Sequence, residues 1–184
     1  MELTDPRALR AYAHPIRLQL VGLLRTSGPL TATQAGEQIG QSAASCSFHL
    51  RQLAKYGLVE EAGGGKGRER PWRATAVTTE WPAGGPDPET AEAGAMLSRV
   101  VVEHYFQLAI DWLDRRGRES AEWAEKAIVA DHAVYLTADE LEEIGDKARA
   151  LLDPYLARNE DPPARPPGAR RVTYIQLGFP LDEE

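Results

Sequence analysis

Apolar positions in the first third of the chain fall into short periodic stretches, each opened by a capping residue and closed by Gly or Pro. Asp5 to Ala13 predicts a short helix, with Asp5 as cap, Pro6 at the first helical position, and Leu9 and Tyr12 on its inner face. His14-Pro15 interrupts it. Ile16, Leu18, Leu20, Val21, Leu23 and Leu24 then make a second helix apolar almost all round, hence central to a core. Ser27-Gly28-Pro29 ends it. Thr31-Ala32-Thr33-Gln34 has the form of a capping box and opens a third helix through Ala35 and Ile39. Gly40-Gln41 supplies a tight turn into a fourth helix, from Ser42 to Tyr56.

The fourth helix has two faces. Ala43, Cys46, Leu50 and Leu53 recur at spacings of three and four and form a narrow apolar stripe. The other side carries Ser45, Ser47, Phe48, Arg51, Gln52 and Lys55, with no carboxylate. Ser42 suits the N-cap, and Gly57 the left-handed position beyond the C-terminus. Leu58 to Glu61 and Arg68 to Ala76 read as two strands around a tip at Gly63-Gly64-Gly65-Lys66-Gly67. Two short helices joined by a glycine-containing turn make a helix-turn-helix, and a hairpin placed directly after it makes the wing. A bland alternative exists for each piece: an ordinary amphipathic surface helix, and a solvated hairpin with routine charge.

Beyond residue 78 the pattern changes. Trp81-Pro82-Ala83-Gly84-Gly85-Pro86-Asp87-Pro88 is a Pro/Gly linker, so 1–78 and 89–184 are expected as domains with 79–88 between them. From Glu89 to Arg116 a long helix carries Met96, Val100, Val101, Tyr105, Leu108 and Trp112 on one apolar stripe. Val102, Phe106, Ala109 and Ile110 widen that stripe beyond what a small domain can cover, which points to a homodimer interface; a central helix in a monomeric core is the alternative. Glu119–Val129 predicts a further helix. Thr137, with Glu140 three residues on, caps another whose inner face runs through Leu141, Ile144, Ala148, Leu151, Leu152 and Tyr155. Arg171 to Phe179 alternates as a strand does, its mate being either Ala133–Leu136 or the same strand of a second subunit. The fold class expected is mainly α with a small β-hairpin: a winged helix-turn-helix, then a helical dimerisation or effector domain with a C-terminal strand.

The 184 residues carry a net charge of −7, which argues against a nucleic-acid partner until it is divided. Residues 1–78 hold 10 Lys/Arg against 6 Asp/Glu, and residues 79–184 hold 11 against 22. Only the first part is suited to a polyanion. One cysteine excludes an intrachain disulfide and any multi-cysteine metal site. The opening residues lack the basic and apolar runs of a secretion signal, and a cytoplasmic location is expected.

Taken together, Ala13-His14-Pro15-Ile16-Arg17-Leu18, the Ser47-Phe48-His49-Leu50-Arg51-Gln52-Leu53 run and Gly57-Leu58-Val59-Glu60 resemble the winged helix-turn-helix of the ArsR-type bacterial transcriptional regulators, over residues 5–78. The resemblance implies that the fourth helix enters the major groove, with Ser42, Ala44, Ser45, Ser47, Phe48, His49 and Arg51 facing DNA. Lys55 belongs to the same surface, and Lys66, Arg68 and Arg70 of the wing are placed to reach the flanking backbone. Phe48 departs from the family, where a basic residue is common; it either meets a thymine methyl or packs within the protein.

The family's thiolate metal sensor needs a Cys-x-Cys pair in the helix before the recognition helix, and Thr31–Ile39 has none. Cys46, on the apolar stripe, reads as core. Glu103-His104 with Asp111 and Asp114 matches no dedicated metal spacing, so no metal and no cofactor are expected. His104, Tyr105, Phe106, Trp112 and Trp123 are candidates for a small-molecule effector pocket, or simply for core. No nucleotide loop or nucleophile motif appears, so catalysis is not expected. The expected function is a dimeric, sequence-specific DNA-binding repressor with a possible effector. The alternatives are a winged-helix module that binds protein instead of DNA, and an enzyme using the aromatic C-terminal half.

Overall fold

The structure, a computed structural model, describes residues 1–65, 70–82, 84 and 87–181. Among the described residues, seven α-helices and one hairpin run in the order α1 (Pro6–Tyr12), α2 (Pro15–Ser27), α3 (Ala32–Ile39), α4 (Ala43–Ala54), β1 (Val59–Glu61), β2 (Trp72–Ala74), α5 (Pro88–Arg115), α6 (Ala121–Lys126) and α7 (Ala138–Glu160). Each helix of the first group starts where a side chain accepts from an orphan backbone N–H. Asp5 accepts from Arg7 at 2.8 Å, His14 Nδ1 from Ile16 at 3.2 Å, Thr31 from Gln34 at 3.2 Å and Ser42 from Ser45 at 3.1 Å.

Leu20, Val21 and Leu24 of α2 sit at the centre of one core, with Leu9 of α1, Ala35 of α3, and Cys46, Leu50 and Leu53 of α4 around them. Leu58, Val59 and Trp72 close it from the wing side. The strands pair antiparallel, Val59 with Ala74 and Glu61 with Trp72, and Leu30 bridges to the outer edge of β2 through Trp72. Near the chain start, Leu3 N–H donates to Glu80 O at 2.8 Å and Glu80 N–H to Met1 O at 2.9 Å, tying the linker back to the first domain.

The linker divides the sequence but not the core. Asp87 caps α5, Arg10 of α1 pairs with Glu89 at 2.7 Å, and Ala93 and Leu97 are buried against the same core as α2. Trp81 Nε1–H donates to Ser98 Oγ at 2.9 Å and holds the linker along α5. Of the side chains expected at a subunit interface, Val100 and Val101 pack on this core, Leu108 and Trp112 are half-buried, and Met96 and Tyr105 are exposed. At 100° per residue those positions lie mainly on the inward side of α5, and Phe106, Ile110 and Leu113 form a separate stripe facing out.

Past α5 the chain turns through a 3₁₀ segment at Arg116–Arg118 into α6, runs without regular secondary structure to the capping box of Thr137 and Glu140, and enters α7. Arg165 folds back over the end of α7, donating to Arg158 O at 2.7 Å and Asn159 O at 2.9 Å, and to Thr26 O of α2 at 3.3 Å. The C-terminal strand predicted over 171–179 is not formed. Those residues have no regular secondary structure, and among the described residues their backbone has no β-ladder mate; the segment beside them is α7, whose Leu141 and Gly145 meet Gly178 and Gln176. No helix of the described residues is long and apolar enough to cross a membrane.

Candidate nucleic-acid interface

α3 and α4 are held at their crossing by a left-handed turn that favours glycine. Gly40 adopts φ 69°, and both its N–H and that of Gln41 reach back to Gly36 O. The backbone of Gln41 passes so close to Gly36 that a Cβ there would stand 2.4 Å from Gln41 O. Gly36 is therefore as much a part of the motif as the turn itself. Nothing in the hydrophobic pattern singled it out, since only three-dimensional proximity gives it a role.

α4 buries Cys46, His49, Leu50 and Leu53 and turns Ala44, Phe48, Arg51 and Lys55 to solvent, with Ser45 and Ser47 half-buried beside that ridge. Ala43, predicted on the inner stripe, is exposed at the helix start. Ser42 is exposed too, but its hydroxyl is engaged as the cap. Phe48 is 50% exposed and stands edge-on to the His49 ring, so it projects from the protein and has no core of its own to fill. Arg51 and Lys55 form no ion pair among the described residues; Lys55 lies over the Tyr56 ring.

His49 does not face outward as the resemblance implied. It is 8% exposed, and its Nδ1 accepts from Arg17 Nε at 3.3 Å. The His14 ring lies 4.6 Å away, and Arg17 also donates to Ala11 O. Burial, and then the neighbouring His14 and Arg17, hold the His49 imidazole below its ordinary pKa. Burial, with Arg17, does the same for His14. Each ring accepts at Nδ1, His14 from Ile16 N–H and His49 from Arg17 Nε–H, and the second bond seats α4 on α2. The Cys46 thiol is fully buried and its pKa is raised by that burial.

Between the first turn of α3, the outward side of α4 and the wing lies an open cleft of about 760 Å³. It is lined by Thr33, Gln34, Ser47, Arg51, Glu61 and Arg70, among others. The first turn of α3 thus shares a concavity with the Arg51 guanidinium and with Arg70, whose charge Glu61 partly offsets; the helix start and Arg51 favour an anion there. The capping box at Thr31 was the signal for that helix start, though its place beside Arg51 was not readable from sequence. On the wing, Arg70 pairs with Glu61 at 3.1 Å and Arg73 with Glu60 at 2.7 Å, so carboxylates offset part of its positive charge. Lys66 and Arg68 lie outside the described residues.

His104 and Tyr105 are neighbours, Trp112 lies under the Arg116 guanidinium and Trp123 under that of Arg170, and half-exposed Phe106 points well round α5 from Trp112. Burial holds the His104 imidazole below its ordinary pKa. Among the described residues no three His, Cys, Asp or Glu side chains come together as a metal site.

A comparison with curated proteins gave no match. Residues 12–62 do match the family model described as a helix-turn-helix domain, a span that runs from the end of α1 through α2, α3, α4 and β1. With the two-stranded hairpin that follows, this part of the chain has the form of a helix-turn-helix with a wing.

Proposed function

We propose that the protein is a sequence-specific transcriptional regulator of the ArsR-like kind, acting in the cytoplasm as a homodimeric repressor. The observation that carries this reading is the outward ridge of α4. Ala44, Phe48, Arg51 and Lys55, flanked by Ser45 and Ser47, present small, apolar and cationic groups without a carboxylate, beside an anion-favouring helix start. In the major groove Arg51 can donate both guanidinium nitrogens to a guanine edge, a contact worth about 1–3 kcal/mol of discrimination. Ser45 and Ser47 offer shorter donors and acceptors.

The start of α3 and the wing cations Lys66, Arg68 and Arg70 supply phosphate contacts, which fix register without reading sequence. A second copy reads a second half-site about one helical turn away. Repression needs only occupancy of the operator, with no further surface. A small-molecule effector that alters operator affinity belongs to the same reading, with His104, Tyr105, Phe106, Trp112 and Trp123 as the residues that would meet it.

Selection of bound duplexes from a random library tests the reading, followed by titration of Arg51→Ala and Arg70→Ala against the enriched site at 50–200 mM salt. Arg51→Ala is expected to flatten base preference at one position of each half-site. Arg70→Ala is expected to weaken all sequences alike, with a shallower salt slope. If no sequence is enriched, the module binds protein or something else, and the regulator reading is wrong.

A further inference from the structure

On α7, Leu141, Gly145, Arg149 and Leu152 are spaced four, four and three apart and so share one face of the helix. The C-terminal arm, residues 171–181, crosses that face. A Cβ on Gly178 would stand 2.8 Å from Leu141 Cδ1, so the arm lies directly on the helix there. One helical turn on, Gln176 Nε2 lies over Gly145, 3.9 Å from where a Cβ would be. With Tyr174, Arg149 and Leu152, these residues line an open groove of about 400 Å³, a size that suits a small molecule.

Glycine is a poor helix former, and Gly145 stands well inside the 23-residue α7. Packing does not demand it, since a Cβ there would make only an ordinary contact. What the missing side chain provides is a notch in the groove floor, one turn from Leu141 on one side and from Arg149 on the other. The walls divide by chemistry. Leu141, Leu152 and the Tyr174 ring offer apolar surface, and the Gln176 amide and the Arg149 guanidinium offer donors. Asp146 takes one nitrogen of Arg149 at 3.2 Å and does not line the groove, so a guanidinium with five N–H donors keeps others for a second carboxylate.

We infer that this groove binds a small apolar carboxylic acid, with its carboxylate on Arg149 and Gln176 and its body over Leu141, Leu152 and the Tyr174 ring. The site is separate from the aromatic side chains of α5 and α6, and it does not depend on DNA binding. A bound acid touches helix and arm at once, and so holds the arm down on α7.

Phenylacetate and isovalerate, with phenylacetamide and isovaleramide as their uncharged counterparts, are titrated into the full isotope-labelled chain without DNA. At millimolar concentration the acids are expected to shift the backbone amide signals of Gly145 and Gly178 and the side-chain amide of Gln176. Amide exchange over 174–178 slows. The uncharged amides bind at least about tenfold more weakly, the worth of one hydrogen bond to a charged group. Arg149→Gln removes that preference. Gly145→Leu, which fills the notch while favouring the helix, abolishes the shifts at Gly178 and Gln176. Should Gly145→Leu disturb α7 itself, Arg149→Gln carries the test alone. No shift with either acid, shifts that avoid these three residues, or equal affinity for acid and amide overturns the inference. Failure to enrich an operator bears on the regulator reading alone and leaves this one standing.

Discussion

Arg17 donates from Nε to Nδ1 of His49 at 3.3 Å, and this bond joins the central helix of the core to the back of the helix that carries the outward ridge. His49 can accept only while neutral. The neighbouring His14 uses its own Nδ1 to cap α2, so it is under the same constraint. Arg17 of α2 faces both rings, the Phe48 ring stands edge-on to His49, and Arg17 itself is met by Tyr56 and by the Ala11 carbonyl, to which it donates.

Stability therefore depends on pH in a definite direction. His49, His14 and His104 have folded pKa values below the ordinary imidazole value of about 6.5, so the unfolded chain takes up protons first as pH falls. The stabilisation is fully present above about pH 6.5 and is lost as pH falls from there through the folded values. Urea unfolding at pH 7.5 and pH 5.5 is expected to show a lower midpoint at pH 5.5. His49→Asn, whose amide oxygen can accept from Arg17, is expected to narrow the difference. A midpoint that does not move for the wild type would show that the cluster is not titrating. The carboxylates held low by hydrogen bonds, Asp87, Glu119 and Glu140, act in the same direction but below the ordinary carboxylate range, outside this window.

Gly36→Ala is expected to destabilise the first domain by about 1–3 kcal/mol, the cost of forcing extra volume into a packed site. The atom in the way is the backbone oxygen of Gln41, which cannot swing aside as a side chain can. Relief requires α3 and α4 to part, so the fraction still folded should also bind DNA less well. Unchanged unfolding and unchanged affinity together would mean that the turn adjusts without cost.

How far the sequence revealed these features depended on whether their cause was local. The caps at Asp5, Thr31, Ser42 and Thr137 were legible because a cap involves a side chain and an N–H two or three residues on. Gly36 was not, because its neighbour arrives by way of the turn. His49 was placed facing DNA by the family resemblance alone, and only the fold shows Arg17 and His14 receiving its ring. On α5, apolar residues surround so much of the helix that periodicity offers two stripes and does not say which one meets the protein's own core. Val100 and Val101 take that role. The arm at 171–179 has the alternation of a strand, but pairing is a property of two segments, and only one lies in the protomer's pattern.

Phe48 is the most exposed apolar side chain on the ridge, and a thymine methyl is the apolar group a major groove offers. Replacing thymine by uracil removes that methyl alone. At one position per half-site this is expected to weaken wild-type binding by about 0.8 kcal/mol, roughly fourfold, the worth of one buried carbon. Phe48→Ala should bind the thymine and uracil duplexes equally. A uracil scan of the selected operator in which the wild type notices no position would remove Phe48 from base reading.

The ion pairs of the wing lead to a gain-of-binding prediction. Glu61 holds Arg70 at 3.1 Å and Glu60 holds Arg73 at 2.7 Å, in pairs exposed enough that their own contribution to folding is small. Next to a polyanion the carboxylates act twice, repelling phosphate and occupying the cations that would meet it. Glu61→Gln is therefore expected to leave unfolding unchanged while strengthening binding to duplexes of any sequence at 50 mM salt. If Arg70 then gains a full phosphate contact, the slope of log affinity against log salt steepens by about 0.9. Glu60→Gln tests the same effect at Arg73, one residue beyond Trp72 on β2. Fluorescence anisotropy with a random-sequence duplex across 50–200 mM salt measures both. Equal slopes for wild type and Glu61→Gln would mean that Arg70 does not reach the backbone, leaving the wing's contribution to residues nearer its tip.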